Sequence, residues 1–227
     1  MKKYLQSLLS FDYEKDLILK FIDKYTSKQH KILDVGCGYG RFLKPLMQKG
    51  YQITGVEKNS TIVKANTKDG LKCYDFEVFD KQDEKYNLII LSHIIEHFSP
   101  LDLVSFLDYY LNRLTENGYL LIATPLLSNY FHDDFDHVKP YLPTGILMVY
   151  GENNAQVQYY SKHKLKLVDL KFRVSPMALR NFSSMYIKTK YTHMIQAINL
   201  AFVGVYLLTC KFVGKRDGWI GVFQKTK

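Results

Sequence analysis

Five short apolar runs constrain this chain most: KILDVG (31–36), YQITGVE (51–57), LKCYDF (71–76), KYNLIILS (85–92) and YLLIATP (119–125). Segments with helical spacing or helix-boundary residues lie between them: GRFLKPLMQKG (40–50), STIVKANTKDG (60–70), and a stretch from Ser99 to about Glu116. Antiparallel strands can return through a tight hairpin, whereas parallel strands need a crossover of a dozen or so residues, which is right-handed. Alternating strands and helices therefore predict an α/β fold built on a doubly wound, mostly parallel sheet. The unbroken apolar run of KYNLIILS predicts a strand buried on both faces. Ser99 reads as an N-cap with Pro100 at the first helical position, where its missing N–H costs nothing. Asn117-Gly118 reads as the turn into the fifth strand. Leu17, Ile18, Phe21 and Ile22 predict a helix over about 13–25, within an N-terminal helical cap (1–29). KLKLVDLKFRV (164–174) and GWIGVFQK (218–225) supply two more strands. The expected organisation is one domain of 1–227: the cap, a core over 30–175, a hydrophobic helical insertion over 176–217, and a last strand over 218–227.

The first strand runs into the turn LDVGCGYGRF (33–42), in which Gly36, Gly38 and Gly40 form G-x-G-x-G. Glycines belong where the chain turns sharply and a ligand lies against bare backbone. Glu57 ends the second strand, where a carboxylate can accept both ribose hydroxyls of an adenosine ligand. A dinucleotide-binding turn would place its third glycine where this chain has Arg41, which disfavours a pyrophosphate ligand. The ordered set LDVGCGYGRF, GVEKN, CYDFE, YNLIILSHIIEHF and GYLLIATP resembles the class I S-adenosylmethionine-dependent methyltransferases, over roughly 30–175 and the last strand. That resemblance implies a Rossmann-like sheet and S-adenosyl-L-methionine as cofactor. It places Asp34, Gly36, Cys37, Gly38 and Gly40 along the methionine half of the cofactor, and Glu57 on the ribose. Asp75 and Phe76 fall at the adenine amino group and ring, and Ser92 and His93 face the sulfonium.

His93-Ile-Ile-Glu96-His97 also fits the H-x-x-E-H pattern of inverted zinc peptidases. Such a motif needs a long helix to project both histidines, whereas here it directly follows a buried strand and precedes a new helix start. A second segment, YFHDDFDHVKPYLP (130–143), resembles the D-x-x-H-x-x-P loop of many sugar and glycan methyltransferases, with Asp134, His137 and Pro140 in the matching positions. Methyl transfer to a hydroxyl requires that the hydroxyl lose its proton, a task suited to histidine near neutral pH. His137, His97 and Glu96 are the candidate catalytic residues, and three readings of them stay open. His137 or His97 is a general base; or His93, Glu96, His97 and His137 hold a divalent metal; or the group only braces the cofactor floor and packs the loop. The metal reading is similar to the metal-dependent ubiquinone-pathway and small-RNA 2′-O-methyltransferases, whose motif is Glu-x-x-Glu-His. This chain departs from that motif by carrying His93 for the first glutamate.

With 31 basic and 22 acidic residues the formal charge is +9, which favours anionic partners without choosing among nucleic acid, phosphorylated substrates and a membrane surface. No basic-aromatic interleaving supports nucleic acid. Three cysteines without a C-x-x-C pair point to a reducing compartment. The N-terminus, with charges returning at Asp12 and Glu14, is too interrupted for a secretory signal. The apolar stretch 194–213, flanked by Lys188, Lys190, Lys211, Lys215 and Arg216, is short for a spanning helix. Either it meets an anionic membrane surface, or it serves as a core or homodimer-interface helix. The expectation is a cytoplasmic S-adenosylmethionine-dependent O-methyltransferase, peripheral to the inner face of a membrane, acting on a hydroxyl of a sugar, glycan or lipid-linked intermediate. The alternatives are a metal-assisted methyltransferase of a quinone precursor or RNA 2′-hydroxyl, and a non-catalytic adenosine-ligand binding protein.

Overall fold

A computed structural model describes residues 13–128, 131–152 and 158–226; residues 1–12 of the expected N-terminal cap lie outside it. The chain forms two compact units, one running to Lys171 and resuming at Trp219, the other comprising Phe172–Gly218. The segment 176–217 expected as an insertion lies within the second.

The first unit opens with α1 (Tyr13–Tyr25). Then follow β1 (Lys31–Val35), α2 (Leu43–Gln48), β2 (Gln52–Val56), α3 (Ser60–Lys68), β3 (Cys73–Tyr74), α4 (Phe76–Asp80) and β4 (Tyr86–Ser92). A 3-10 turn (Ile95–His97), α5 (Pro100–Arg113), β5 (Leu114–Pro125), a second 3-10 turn (Phe131–Asp133) and α6 (Pro143–Tyr150) come next, before β6 (Leu165–Ser175). The second unit holds α7 (Phe182–Tyr186) and α8 (Thr192–Leu208), and β7 (Lys215–Lys225) completes the chain.

The seven strands form one sheet in the order β3-β2-β1-β4-β5-β7-β6. The pairs β1–β2, β1–β4, β2–β3 and β4–β5 are parallel. The chain runs outward from β1 to β3 and then crosses back to place β4 on the other side of β1. The winding therefore reverses between β1 and β4, and the carboxyl ends of those strands open a crevice suited to a ligand. Side chains alternate across the sheet as a period of two requires. Leu33, Ile89, Leu91, Leu120 and Ile122 pack with α5 on one face, while Ile32, Leu88, Ile90 and Leu121 pack with α1 and α2 on the other. Both faces of β4 are buried, as its composition predicts.

Several boundaries differ from the sequence reading, these for local reasons. Residues 40–42 stay in the glycine turn, so α2 begins only at Leu43. The strand expected over 71–76 shrinks to Cys73–Tyr74 because the Asp75 carboxylate accepts from Val78 N–H at 2.8 Å and caps α4. Helix α5 is capped by Ser99 as expected but stops at Arg113, because Leu114 pairs with Tyr86. Asn117-Gly118 is then an irregularity inside β5 rather than a turn before it: the pairing passes from Tyr86↔Leu114 to Leu88↔Tyr119, and Asn117 adopts φ +58°. The helix expected to reach 213 ends at Leu208, where Lys211 N–H donates to the Tyr206 carbonyl at 2.8 Å and Cys210 and Lys211 turn left-handed.

Candidate functional site

At the end of β1 the chain turns back on itself so tightly that Gly36 N–H and Cys37 N–H both donate to the Val56 carbonyl, at 2.8 and 3.2 Å. Gly36 has φ +67°, a conformation that favours glycine, and a Cβ there would lie 2.3 Å from Ile94 Cδ1, which would have to move. Gly38, at φ +50°, has nothing within 4 Å of its would-be Cβ; that bare face is open to a ligand. Glu57, buried at the end of β2, braces the turn: Oε2 accepts from Gly38 N–H at 3.1 Å and Oε1 from Asn59 N–H at 3.0 Å. Asn66, fully enclosed, donates to the Gly38 carbonyl at 2.7 Å. The Cys37 thiol turns away from the crevice into the core, 3.5 Å from Cys73 Sγ; of this residue only the backbone belongs to the turn.

Asp34 and Ser92 end their strands with polar atoms left over. Asp34 Oδ2 and Ser92 Oγ are buried and have no hydrogen-bond partner among the described residues. Burial pushes the Asp34 carboxyl up to about 8, against the pull of the Arg41 charge. Such a group beside an open glycine turn suits a cationic ligand group, which would supply the missing partner.

A cavity of about 740 Å³ opens over these strand ends. Gly36, Glu57 and the half-exposed ring of Phe76 line one side, His93 and His97 another, and Phe98, Phe106, Tyr110 and Phe135 contribute aromatic surface. Asp75 spends one carboxylate oxygen on its own helix terminus and does not line the cavity. A smaller hollow of about 340 Å³ lies by Lys31 and Gln52, at the opposite, amino ends of β1 and β2.

His93 leaves β4 with φ +57°. Its Nε2 lies 2.9 Å from Glu14 Oε1 on α1 and its Nδ1 lies 3.3 Å from Glu96 Oε1. Burial disfavours its charge, but the Glu14 and Glu96 carboxylates on either side prevail and hold the imidazole up at about 9. Two carboxylates thus favour the protonated form of His93, which leaves it no lone pair to offer, and the converging group of possible ligands among the described residues does not include it. The expected four-residue metal set thus loses its first member.

The other three converge. Glu96 is completely buried: its Oε2 accepts from Thr124 Oγ1 at 2.9 Å, while Oε1 has only the off-line contact with His93 and no hydrogen bond among the described residues. The Glu96 carbonyl accepts from Val138 and Lys139 N–H at 2.8 and 3.1 Å, which ties the loop bearing His137 to this turn. His97 Nδ1 lies 3.1 Å from the Asp136 carbonyl, and His137 Nδ1 lies 2.7 Å from the Phe131 carbonyl. A carbonyl can only accept, so each Nδ1 carries a proton, and a ring in its neutral form would present its lone pair on Nε2. His137 Nε2 is 3.7 Å from Asp134 Oδ2, and the two rings stand 5.0 Å apart. One ligand atom from each of Glu96, His97 and His137 lies within 4.8 Å of the others. The arrangement can take a proton from a hydroxyl or hold a divalent cation, and the backbone bonds that orient both rings are those expected behind metal-ligating histidines.

Glu14, Asn66 and Thr124 were not singled out in the sequence. Glu14 also pairs with Arg41 at 3.1 Å, so α1 is fastened to both the glycine turn and His93. An acid on the inward side of an amphipathic helix is the one signal that could have marked it.

Residues 1–168 match the family described as "Methyltransferase domain". A ubiquinone biosynthesis O-methyltransferase of Pelagibacter ubique is 24% identical over 197 residues, covering 77% of this chain and 81% of that protein. Another of the same name from Bartonella bacilliformis is 30% identical over 102 residues, covering 41% of this chain and 40% of that protein. Among solved structures, a SAM-dependent methyltransferase from Archaeoglobus fulgidus superposes with a TM-score of 0.60 at 18% identity, covering 94% of each chain.

Proposed function

Because the chain belongs to the methyltransferase-domain family, and so is an S-adenosylmethionine-dependent methyltransferase, we propose that it O-methylates a hydroxyl on an aromatic, quinone-precursor-like ring. The site's leftover groups fit the cofactor. Asp34 offers a carboxylate to an ammonium, Glu57 stands where a ribose diol would be met, and Phe76 offers a ring face for adenine. Gly38, whose would-be Cβ position is open, would give the methionine half a bare backbone to lie against, in a turn shaped by the positive φ of Gly36 and Gly40, with Ser92 at the adjacent strand end.

The observation that carries the acceptor reading is the lining of the cavity beyond the cofactor residues. Phe98, Phe106, Tyr110, Phe135 and Val138 face it, and His97 stands at its edge. A planar, largely apolar ring with one reactive hydroxyl suits such a surface. A sugar would find Asp136, Lys58 and the histidines there but aromatic surface elsewhere, and each hydroxyl buried without a partner would cost roughly 1–3 kcal/mol. The relatives named above point the same way, and the expected sugar or glycan acceptor finds no support among them.

In this reading His97 or His137 takes the acceptor proton on Nε2 while Glu96 fixes the turn that carries His97. A second reading of the same three residues is favoured by their spacing: Glu96, His97 and His137 would hold a divalent cation. Such a cation, when bound, lowers the pKa of a coordinated hydroxyl. Turnover of the cofactor with a panel of catechols and sugars, before and after exhaustive chelation, tests both readings. Catechols are expected to be methylated and sugars not; methylation of sugars alone would contradict the acceptor reading. Loss of activity on chelation, restored by added divalent ions, assigns the trio to a metal, and full activity after chelation leaves the histidine base.

A further inference from the structure

We propose that the unit formed by residues 172–218 docks on an anionic lipid bilayer through the exposed apolar face of α8. This inference is independent of the acceptor's identity. Between Asp169 and Asp217 the sequence contains eight of the chain's 31 basic residues and none of its 22 acidic ones, so the rest of the chain is close to neutral. Almost the whole net charge of +9 therefore belongs to one stretch.

That stretch also carries an apolar surface without cover. Of the 17 residues of α8, only Ile195 and Tyr206 are buried. Met194, Val205 and Leu208 recur at helical spacing and are exposed, as are Leu200 and Leu207; Phe212, just past the helix, is 93% exposed. Soluble monomers rarely leave an apolar patch of this kind in water. The charged residues that flank it in sequence from 170 to 216 are all cationic: Lys188 and Lys190 precede the helix, and Lys211, Lys215 and Arg216 follow it, while the next acid, Asp217, is paired with Arg173 at 2.8 Å.

An apolar centre with a cationic rim complements acyl chains beneath anionic headgroups. A second copy of the chain is the poorer occupant, since a symmetric interface would bring two acid-free, strongly basic stretches together. The length of α8 does not suit a crossing. At 1.5 Å per residue it spans about 25 Å, short of the ~30 Å hydrocarbon core, and no helix among the described residues is long and apolar enough to cross. The helix would lie in the interface.

Co-sedimentation of the full chain with phosphatidylcholine vesicles, with and without an equal share of phosphatidylglycerol, tests this. Binding is expected on the anionic vesicles at low salt and should weaken as salt rises. Lys188→Glu with Lys190→Glu should weaken it by more than tenfold, since each lysine near such a surface is worth about fivefold. Leu208→Asp with Phe212→Asp, both at exposed positions, should abolish it while leaving S-adenosylhomocysteine affinity and melting temperature unchanged. A wild type that stays in the supernatant at low salt overturns the proposal. So does binding indifferent to lipid charge and to both variants. A dimer that the apolar variant dissociates, found in place of vesicle binding, assigns the face to a second copy and overturns it too.

Discussion

Asp34 is the residue this fold provides for worst, and that deficit is informative. Its carboxyl is enclosed at the end of β1, with one oxygen unpartnered, and ionises only near 8 instead of 3.8. Between those two values the folded protein holds a proton that the unfolded chain has released, so stability falls as pH rises through that interval. Asp34→Asn removes the ionisable group, and with it the slope and the cost of burying a charge, while keeping the shape of the side chain. The variant is expected to melt higher at pH 7, by about 1–3 kcal/mol of stability, with a flatter dependence between about pH 5 and 8. It should also bind S-adenosylhomocysteine at least ten times more weakly, because a charge-assisted hydrogen bond worth about 1.5–3 kcal/mol is lost. Thermal melts across that pH range and calorimetry check both arms. A lower melting temperature with unchanged affinity would make Asp34 a structural residue. His93 is the opposite case: Glu14 stands 2.9 Å from one ring nitrogen and Glu96 3.3 Å from the other, so the two carboxylates favour its charged form.

At the scale of elements, the glycine turn and the turn after β4 are separate devices meeting at one crevice. A methyl group at Gly36 would be strained at φ +67° and would displace the end of Ile94 from the second turn. Gly36→Ala should therefore disturb both devices at once, lowering stability by about 1–3 kcal/mol and cofactor affinity with it. Glu57→Gln is the milder probe: it weakens acceptance from Gly38 and Asn59 N–H and should reduce cofactor binding with little change in fold. A Glu57→Gln protein of wild-type affinity in calorimetry would remove Glu57 from the cofactor site. The strands were readable because burial on both faces writes itself as unbroken apolar runs, and the winding reversal follows from their alternation with helices. Boundaries set by a single polar contact were not readable. Asp75 capping α4 cuts the third strand short, and Leu114 pairing with Tyr86 ends α5 early. The site divides in the same way. The glycines and Glu57 were legible because backbone geometry demands them. Glu14 was not, because its role depends on where α1 packs, and the pairing of His97 with His137 rests on a loop tied down by the Glu96 carbonyl.

For the molecule as a whole, chemistry and charge occupy different units. The first unit carries the crevice at the carboxyl ends of β1 and β4 and the Glu96, His97 and His137 group; the second carries seven basic residues against one acidic, +6 of the net +9, and the uncovered helix. Substitutions in one are expected to leave the other's property intact, which lets methyl transfer and vesicle binding be measured separately. The central claim concerns the first unit: the Nε2 lone pairs of His97 and His137 serve the acceptor and not the cofactor. Its most direct test is methyl transfer from S-adenosylmethionine to a catechol by the His97→Ala, His137→Ala double variant, with S-adenosylhomocysteine affinity measured alongside. Turnover is expected to fall by ~10²–10⁴ with cofactor affinity nearly unchanged. Turnover equal to that of the wild type would contradict the claim.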